Sequence, residues 1–263
     1  MGILNVTPDS FSDGGRSSIP LDAIGLGERL VAEGADLLDV GGESSRPGSG
    51  PISVGEELAR ILPVVEGLAA RVGVPISVDT TKPEVARQAL AAGVSIINDI
   101  RGLDDPHLAD LVAGAEAGVV LMHMQGTPAT MQDDPRYDDV VREIHDDLAR
   151  RIDRAGRFGI PRSRIAIDPG IGFGKTFEHN LLVLRNLDRF AGLGCALLIG
   201  TSRKGFLGRL TGRSVGDRLV ASVASALAAV AGGADIVRVH DVGPTVDALR
   251  VWKAQSGATG ALP

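Results

Sequence analysis

Aromatic side chains are scarce: one tryptophan, one tyrosine and six phenylalanines make up 3% of 263 residues. That excludes an aromatic core and leaves packing to aliphatic residues. Cysteine is scarcer still. The single Cys195 rules out an intrachain disulfide framework and does not favour thiol chemistry. The longest uncharged run, Leu219 to Ala234, falls short of the ~20 residues a membrane-spanning helix needs. No basic stretch precedes the first apolar residues, so no export signal is read and a cytoplasmic location is expected. Positive charge is not in excess either. A net charge of −6 argues against a nucleic-acid or acidic-membrane partner, and an anionic small substrate would need a local basic cluster.

Glycine is abundant, with 35 residues against a usual share of ~7%. Short aliphatic runs alternate with segments of helical length from one end to the other, without a low-complexity break. The runs Gly2–Val6, Leu37–Val40, Pro75–Val78, Ser95–Ile97, Val119–Met122, Arg164–Ile167, Ala196–Ile199 and Ile236–Val239 predict eight strands. Between them, Leu21–Glu33, Val54–Ala70, Lys82–Ala92, Tyr137–Gly156, Glu178–Leu187 and Asp217–Val230 predict crossover helices. Gly34, Gly93 and Gly233 stand where helices end, and Pro83 where one begins. This rhythm predicts an α/β fold, a (β/α)8 TIM barrel forming a single domain over 1–263.

Each run finishes in a polar group: Asn5, Asp39, Asp79, Asn98, His123, Asp168, Ser202, and Arg238 with His240. A closed parallel barrel gathers such ends on one rim, where these folds place their sites. The segment Asn5 to Gly15 reads either as a lid bringing oxygen ligands to magnesium or as an Asx-rich turn covered by Phe11. Arg46, on a glycine- and proline-framed loop, reads as a ring or phosphate contact or as a solvated charge. Asp79 and Asp168, with Asn98 and Lys204, can read the edge of a heterocycle such as a pterin; an Asp168–Lys204 salt bridge competes. Thr201 to Gly205, with Arg238 and His240, would supply cations to a phosphate after the seventh and eighth strands.

Other chemistries fail on spacing. Gly174-Lys175-Thr176 suggests a phosphate loop, but Pro169 stands where the first glycine is required. Histidine and cysteine are not spaced for zinc, and no Gly-x-Ser-x-Gly elbow appears.

Taken together, Asn5 to Gly15, Asp39 to Gly48, Val78-Asp79, Asn98-Asp99, Asp168 to Lys175, Ser202 to Lys204 and Arg238 to Asp241 resemble the dihydropteroate synthase family, in order and over Met1 to about Trp252. The resemblance implies the same barrel, usually as a homodimer, and a reaction joining 6-hydroxymethyl-7,8-dihydropterin pyrophosphate to 4-aminobenzoate. It implies departure of the leaving group before attack. It implies that Asp79, Asn98, Asp168 and Lys204 bind the pterin, and that Asn5, Arg46, Arg238 and His240 hold the pyrophosphate, with Asn5 on magnesium. Phe11 and Asp13 would close over the site, and Ser45, Arg46, Pro47, Phe173 and Ser202 would frame the aminobenzoate. Catalysis would fall to Asp13, Arg46, Lys204, Arg238 and His240. Family members usually carry residues ahead of the first strand that seal the barrel floor, whereas here Met1 lies directly on it. No two-residue enlargement follows Phe173, which implies a sulfonamide-sensitive form. The alternatives are a pterin-dependent methyltransferase barrel and a non-catalytic pterin-binding paralogue.

Overall fold

The computed structural model describes residues 1–7, 19–45 and 48–257. Eight parallel strands follow one another in chain order: β1 Gly2–Asn5, β2 Leu38–Gly41, β3 Ile76–Asp79, β4 Ile96–Asp99, β5 Gly118–Met122, β6 Ile165–Asp168, β7 Ala196–Ile199 and β8 Ile236–Val237. The ends meet. A parallel bridge joins Gly2 to Val239, with Ile3 N donating to Val239 O at 2.9 Å and Val239 N to Met1 O at 3.0 Å. The sheet is therefore a closed (β/α)8 barrel.

Side chains alternate along each strand, and the two faces pack in different places. Leu4, Leu38, Val40, Val78, Ile97, Leu121, Ile167 and Ile199 join one large aliphatic core beneath the helices. Met1, Val120, Ala166 and Leu198 pack with Leu37, Ile96, Ala196 and Ile236 in a separate interior group. Continuing the interior set by steps of two brings Asn5, Asp39, Gly41, Asp79, Asn98, Asp168, Gly200 and Arg238 inward towards the C-terminal ends of the strands.

The described helices are α1 Ile19–Ala32, α2 Val54–Ala69, α3 Pro83–Ala91, α4 Pro106–Gly114, α5 Val140–Arg157, α6 Phe177–Leu184, α7 Leu187–Ala191, α8 Gly205–Thr211, α9 Leu219–Ala231 and α10 Val242–Ser256. Gly34, Gly93 and Gly233 take φ of 100°, 105° and 102°, the left-handed turn expected past helix ends. The segment expected to be helical from Tyr137 starts later, because the Asp139 carboxylate accepts from Arg142 N at 3.1 Å and caps α5 at Val140. The segment expected from Asp217 begins with a short 3-10 turn, Val215–Asp217, ahead of α9. Helices α4, α7, α8 and α10 were not among the segments expected from sequence. Short length and flanking glycines hide α7 and α8, while an Asp105 cap with Pro106 at the first turn starts α4.

Candidate functional site

The rim is organised around one guanidinium. Arg238 follows β8 and donates through Nε and Nη2 to Asp39 Oδ2 at 2.7 and 2.6 Å, and through Nη2 to Asp79 Oδ2 at 3.4 Å. Asn98 donates to the same Asp39 oxygen at 3.2 Å. Residues from β2, β3, β4 and the end of β8 thus meet inside the barrel mouth. Asp39 is fully buried, and its other oxygen, Oδ1, has no partner among the described residues. Burial, reinforced by the Asp39 carboxylate and opposed by Arg238, pushes Asp79 up to about 7. The Asp79 carboxyl is therefore poised between acid and carboxylate at neutral pH.

Two glycines line this mouth. A Cβ at Gly41 would lie 3.8 Å from Asn5 Oδ1 and 4.0 Å from Asp79 Oδ2. A Cβ at Gly200 would lie 3.8 Å from Arg238 Cβ and 3.9 Å from Lys204 Nζ. Lys204 thus reaches the mouth from the loop after β7. Its ammonium donates to the carbonyl oxygen of Ile171 and stands 4.7 Å from the centre of the Phe173 ring. That contact, rather than a direct bridge to Asp168, is what holds it. Burial draws Lys204 down to about 8, with Asp168 opposing and Arg238 assisting the shift.

Asp168 ends β6 and is buried, with one oxygen accepting from Gly170 N at 2.7 Å. Burial raises its pKa, while Lys204 and the Gly170 N–H hold the rise back. Ser202 Oγ accepts from His240 N at 3.1 Å and lies 2.9 Å from His240 Nδ1, joining the loops after β7 and β8. Arg203 takes a positive φ of 59° and donates to both Asp241 oxygens, at 3.0 and 2.5 Å. Its side chain is thereby turned away into an ion pair.

The mouth offers carboxylates and amide groups with two cations set among them, and a histidine on the last loop. Such a set suits a flat heterocycle carrying an anionic tail. A family model described as "Pterin binding enzyme" matches residues 1–240. The dihydropteroate synthase of Escherichia coli (strain K12) is 48% identical over 258 residues, covering 98% of this chain and 92% of that protein. The chain belongs to the dihydropteroate synthase family. A solved Xanthomonas albilineans dihydropteroate synthase with 4-aminobenzoic acid matches at TM-score 0.93 and 51% identity, covering 98% of this chain and 93% of that one. Another, in complex with 7,8-dihydropteroate, matches at TM-score 0.89 and 48% identity, with the same coverage of each chain. Like other dihydropteroate synthases, this chain is a transferase of folate biosynthesis.

Of the residues expected to serve a dihydropteroate synthase, Asn5, Asp79, Asn98, Asp168, Lys204 and Arg238 share the mouth, with Phe173 beside Lys204 and the Ser202–His240 pair joining the last two loops. Ser45 is half-buried on the loop after β2. Phe11, Asp13, Arg46 and Pro47 lie outside the described residues. In the sequence Asp39 is a strand end and the start of the Asp39 to Gly48 motif, with no role of its own. Its part in holding Arg238 and Asn98 follows from inward parity with Leu37, a signal present in the sequence but silent on cross-barrel partners.

Proposed function

We propose that this mouth joins 6-hydroxymethyl-7,8-dihydropterin pyrophosphate to 4-aminobenzoate by departure of pyrophosphate before attack of the amine. The observation that carries the reading is the bridge from Asp39 and Asp79 through Arg238 towards Lys204, which sets acceptors and cations side by side. Asp79, Asn98, Asp168 and Lys204 hydrogen-bond the pterin edge, and Arg238 and His240 face the diphosphate. As the methylene C–O bond breaks, its electron pair leaves on the diphosphate and the pterin ring spreads the positive charge left behind. Nearby carboxylates lower the energy of that cation, and the cations that of the leaving group. The neutral amine then forms the C–N bond and gives its proton to solvent. Phe173 and Ser202 line the amine's side with Ser45, keeping water from the cation.

A magnesium ion fits as a companion of the diphosphate. Asn5 Oδ1 lies at the mouth beside Gly41, a hard oxygen donor of the type magnesium takes. Among the described residues no group of three or more histidine, cysteine or acidic side chains is placed to hold a metal unaided, so phosphate oxygens would complete the shell. Bound there with Asn5, the ion would neutralise charge gathering on the leaving group.

The working form is proposed to be a cytoplasmic homodimer. Leu210, Val215 and Val220, exposed by 55%, 61% and 80% near α8 and α9, give a second copy apolar surface to cover. A sulfonamide carrying the same para-amino ring competes for the amine side. The deciding assay couples pyrophosphate release to both substrates with magnesium, for wild type and Lys204→Ala. Dependent release in wild type, with weakened pterin binding in the variant, supports the reading. Steady-state release that 4-aminobenzoate does not accelerate, or an unimpaired variant, contradicts it. A methyltransferase barrel would instead require methyltetrahydrofolate, and a non-catalytic paralogue would release nothing.

A further inference from the structure

Asp168 to Lys175 has the look of a phosphate loop with the wrong spacing, and the chemistry above uses only Asp168 and Phe173 from it. Its backbone is held in an unusual way. Gly170, Gly172 and Gly174 stand at φ of 71°, 83° and 58°, so the segment winds through a region that side chains rarely adopt. Four consecutive carbonyl oxygens then accept from four different side chains. Ile171 O takes Lys204 Nζ, Gly172 O takes Gln132 Nε2 at 2.8 Å, Phe173 O takes Lys175 Nζ at 2.9 Å, and Gly174 O takes the Tyr137 hydroxyl at 2.7 Å.

Only Lys204 belongs to the pterin set. Gln132 and Tyr137 come from the connection between β5 and α5, which is itself pinned: Gln125 donates to Arg136 O at 2.9 Å and accepts from Arg136 N at 3.0 Å. Lys175 is buried, with its ammonium also 3.1 Å from His123 Nδ1. The two stretches nest closely, since a Cβ at Gly174 would fall 2.5 Å from Gln125 O. Substrate-facing side chains on such a turn inherit their aim from the backbone, and small displacements of a binding group are costly.

We propose that Lys175, Gln132 and Tyr137 are positioning residues that fix the Gly172–Gly174 backbone so that Phe173 and Lys204 meet as one wall, thereby setting affinity for the aromatic amine. This rests on the reading of Phe173 as that amine's neighbour. Loss of these donors shifts Phe173, whereas Lys204 keeps its bond to Ile171 O and the carboxylates and Arg238 stay in place. The expected cost is therefore in recognition of the second substrate, not in departure of the diphosphate.

Steady-state kinetics with both substrates varied, together with thermal melting, test this on Tyr137→Phe, Gln132→Met, their double variant and Lys175→Met. The double variant is expected to raise KM for 4-aminobenzoate roughly tenfold, with kcat and KM for the pterin substrate within about twofold of wild type. Lys175→Met is expected to show a larger rise in the same constant. Should Lys175→Met fail to fold, the exposed Gln132 and half-buried Tyr137 decide the matter alone. An unchanged amine KM in the double variant, or a loss spread evenly over kcat and both KM values, overturns the assignment. A wild-type protein that releases no diphosphate refutes the synthase reading beneath it, and is told apart because no variant comparison then arises.

Discussion

Asp79 shows how a single residue trades stability for chemistry. Its folded-state pKa of about 7 lies above the ordinary 3.8, so between those values the folded protein holds a proton that the unfolded chain releases. Stability contributed by this group is full at the acid end and is lost as pH rises towards 7. Asp79→Asn keeps the neutral form permanently. It is expected to stabilise the protein by about 3 kcal/mol more at pH 8 than at pH 5, a Tm gain larger by roughly 6–12 °C. Melting curves at the two pH values check this, and weakened pterin binding should accompany the gain. Turnover responds to the same groups. With Asp79 needed ionised and Lys204, at about 8, needed protonated, kcat/KM for the pterin substrate should rise through about 7 and fall above about 8. A profile flat from pH 6 to 9 would contradict those roles. Arg238→Met should be costlier than loss of a phosphate contact alone, because it strands Asp39 and Asp79 without their cation. Denaturant unfolding is expected to show about 3 kcal/mol of destabilisation at pH 8. The chemical identity of these residues was legible at the strand ends. That Arg238 would be tied to Asp39 was not, because the two are 199 positions apart and meet only when the barrel closes.

Among the elements, the loop after β7 depends on a residue outside every motif. Arg218, just ahead of α9, donates through Nη1 to Arg203 O at 2.9 Å and Lys204 O at 3.4 Å, and through Nε to Arg213 O at 3.1 Å. Ser222 Oγ accepts from Arg203 N at 2.9 Å, which helps to hold the positive φ of Arg203. Arg218→Met should therefore loosen Lys204 and lower kcat/KM for the pterin substrate by about tenfold, with pterin affinity by calorimetry falling in parallel. Equal affinity in variant and wild type would show that the turn keeps its shape unaided. Strand rhythm and glycine stops made the eight strands readable, because period and turn chemistry are local. Supports such as Arg218, Gln132 and Tyr137 carry no local signal. Their side chains look like ordinary loop polarity until the loops are stacked.

Across the whole molecule, closure is what converts a list of strand ends into a site. The contacts of Met1 and Ile3 with Val239 complete the ring, and inward parity then fixes which side chains face the mouth. Gly41 and Gly200 line the space between acid and cation, where a Cβ would reach ordinary contact distance of Asp79 and Arg238. The barrel, the mouth and the family were all present in the order of the motifs. The division of labour between substrate-facing and supporting groups belongs to the three-dimensional arrangement. The central claim is that one hollow takes both the pterin and its diphosphate. A crystal structure of the protein with 6-hydroxymethyl-7,8-dihydropterin pyrophosphate and magnesium tests it most directly. The ring is predicted to lie within hydrogen-bond distance of Asp168, Asn98 and Lys204, with the diphosphate against Arg238 and His240. A ligand seated away from the C-terminal mouth, or turned with its diphosphate towards Asp168, would contradict the account.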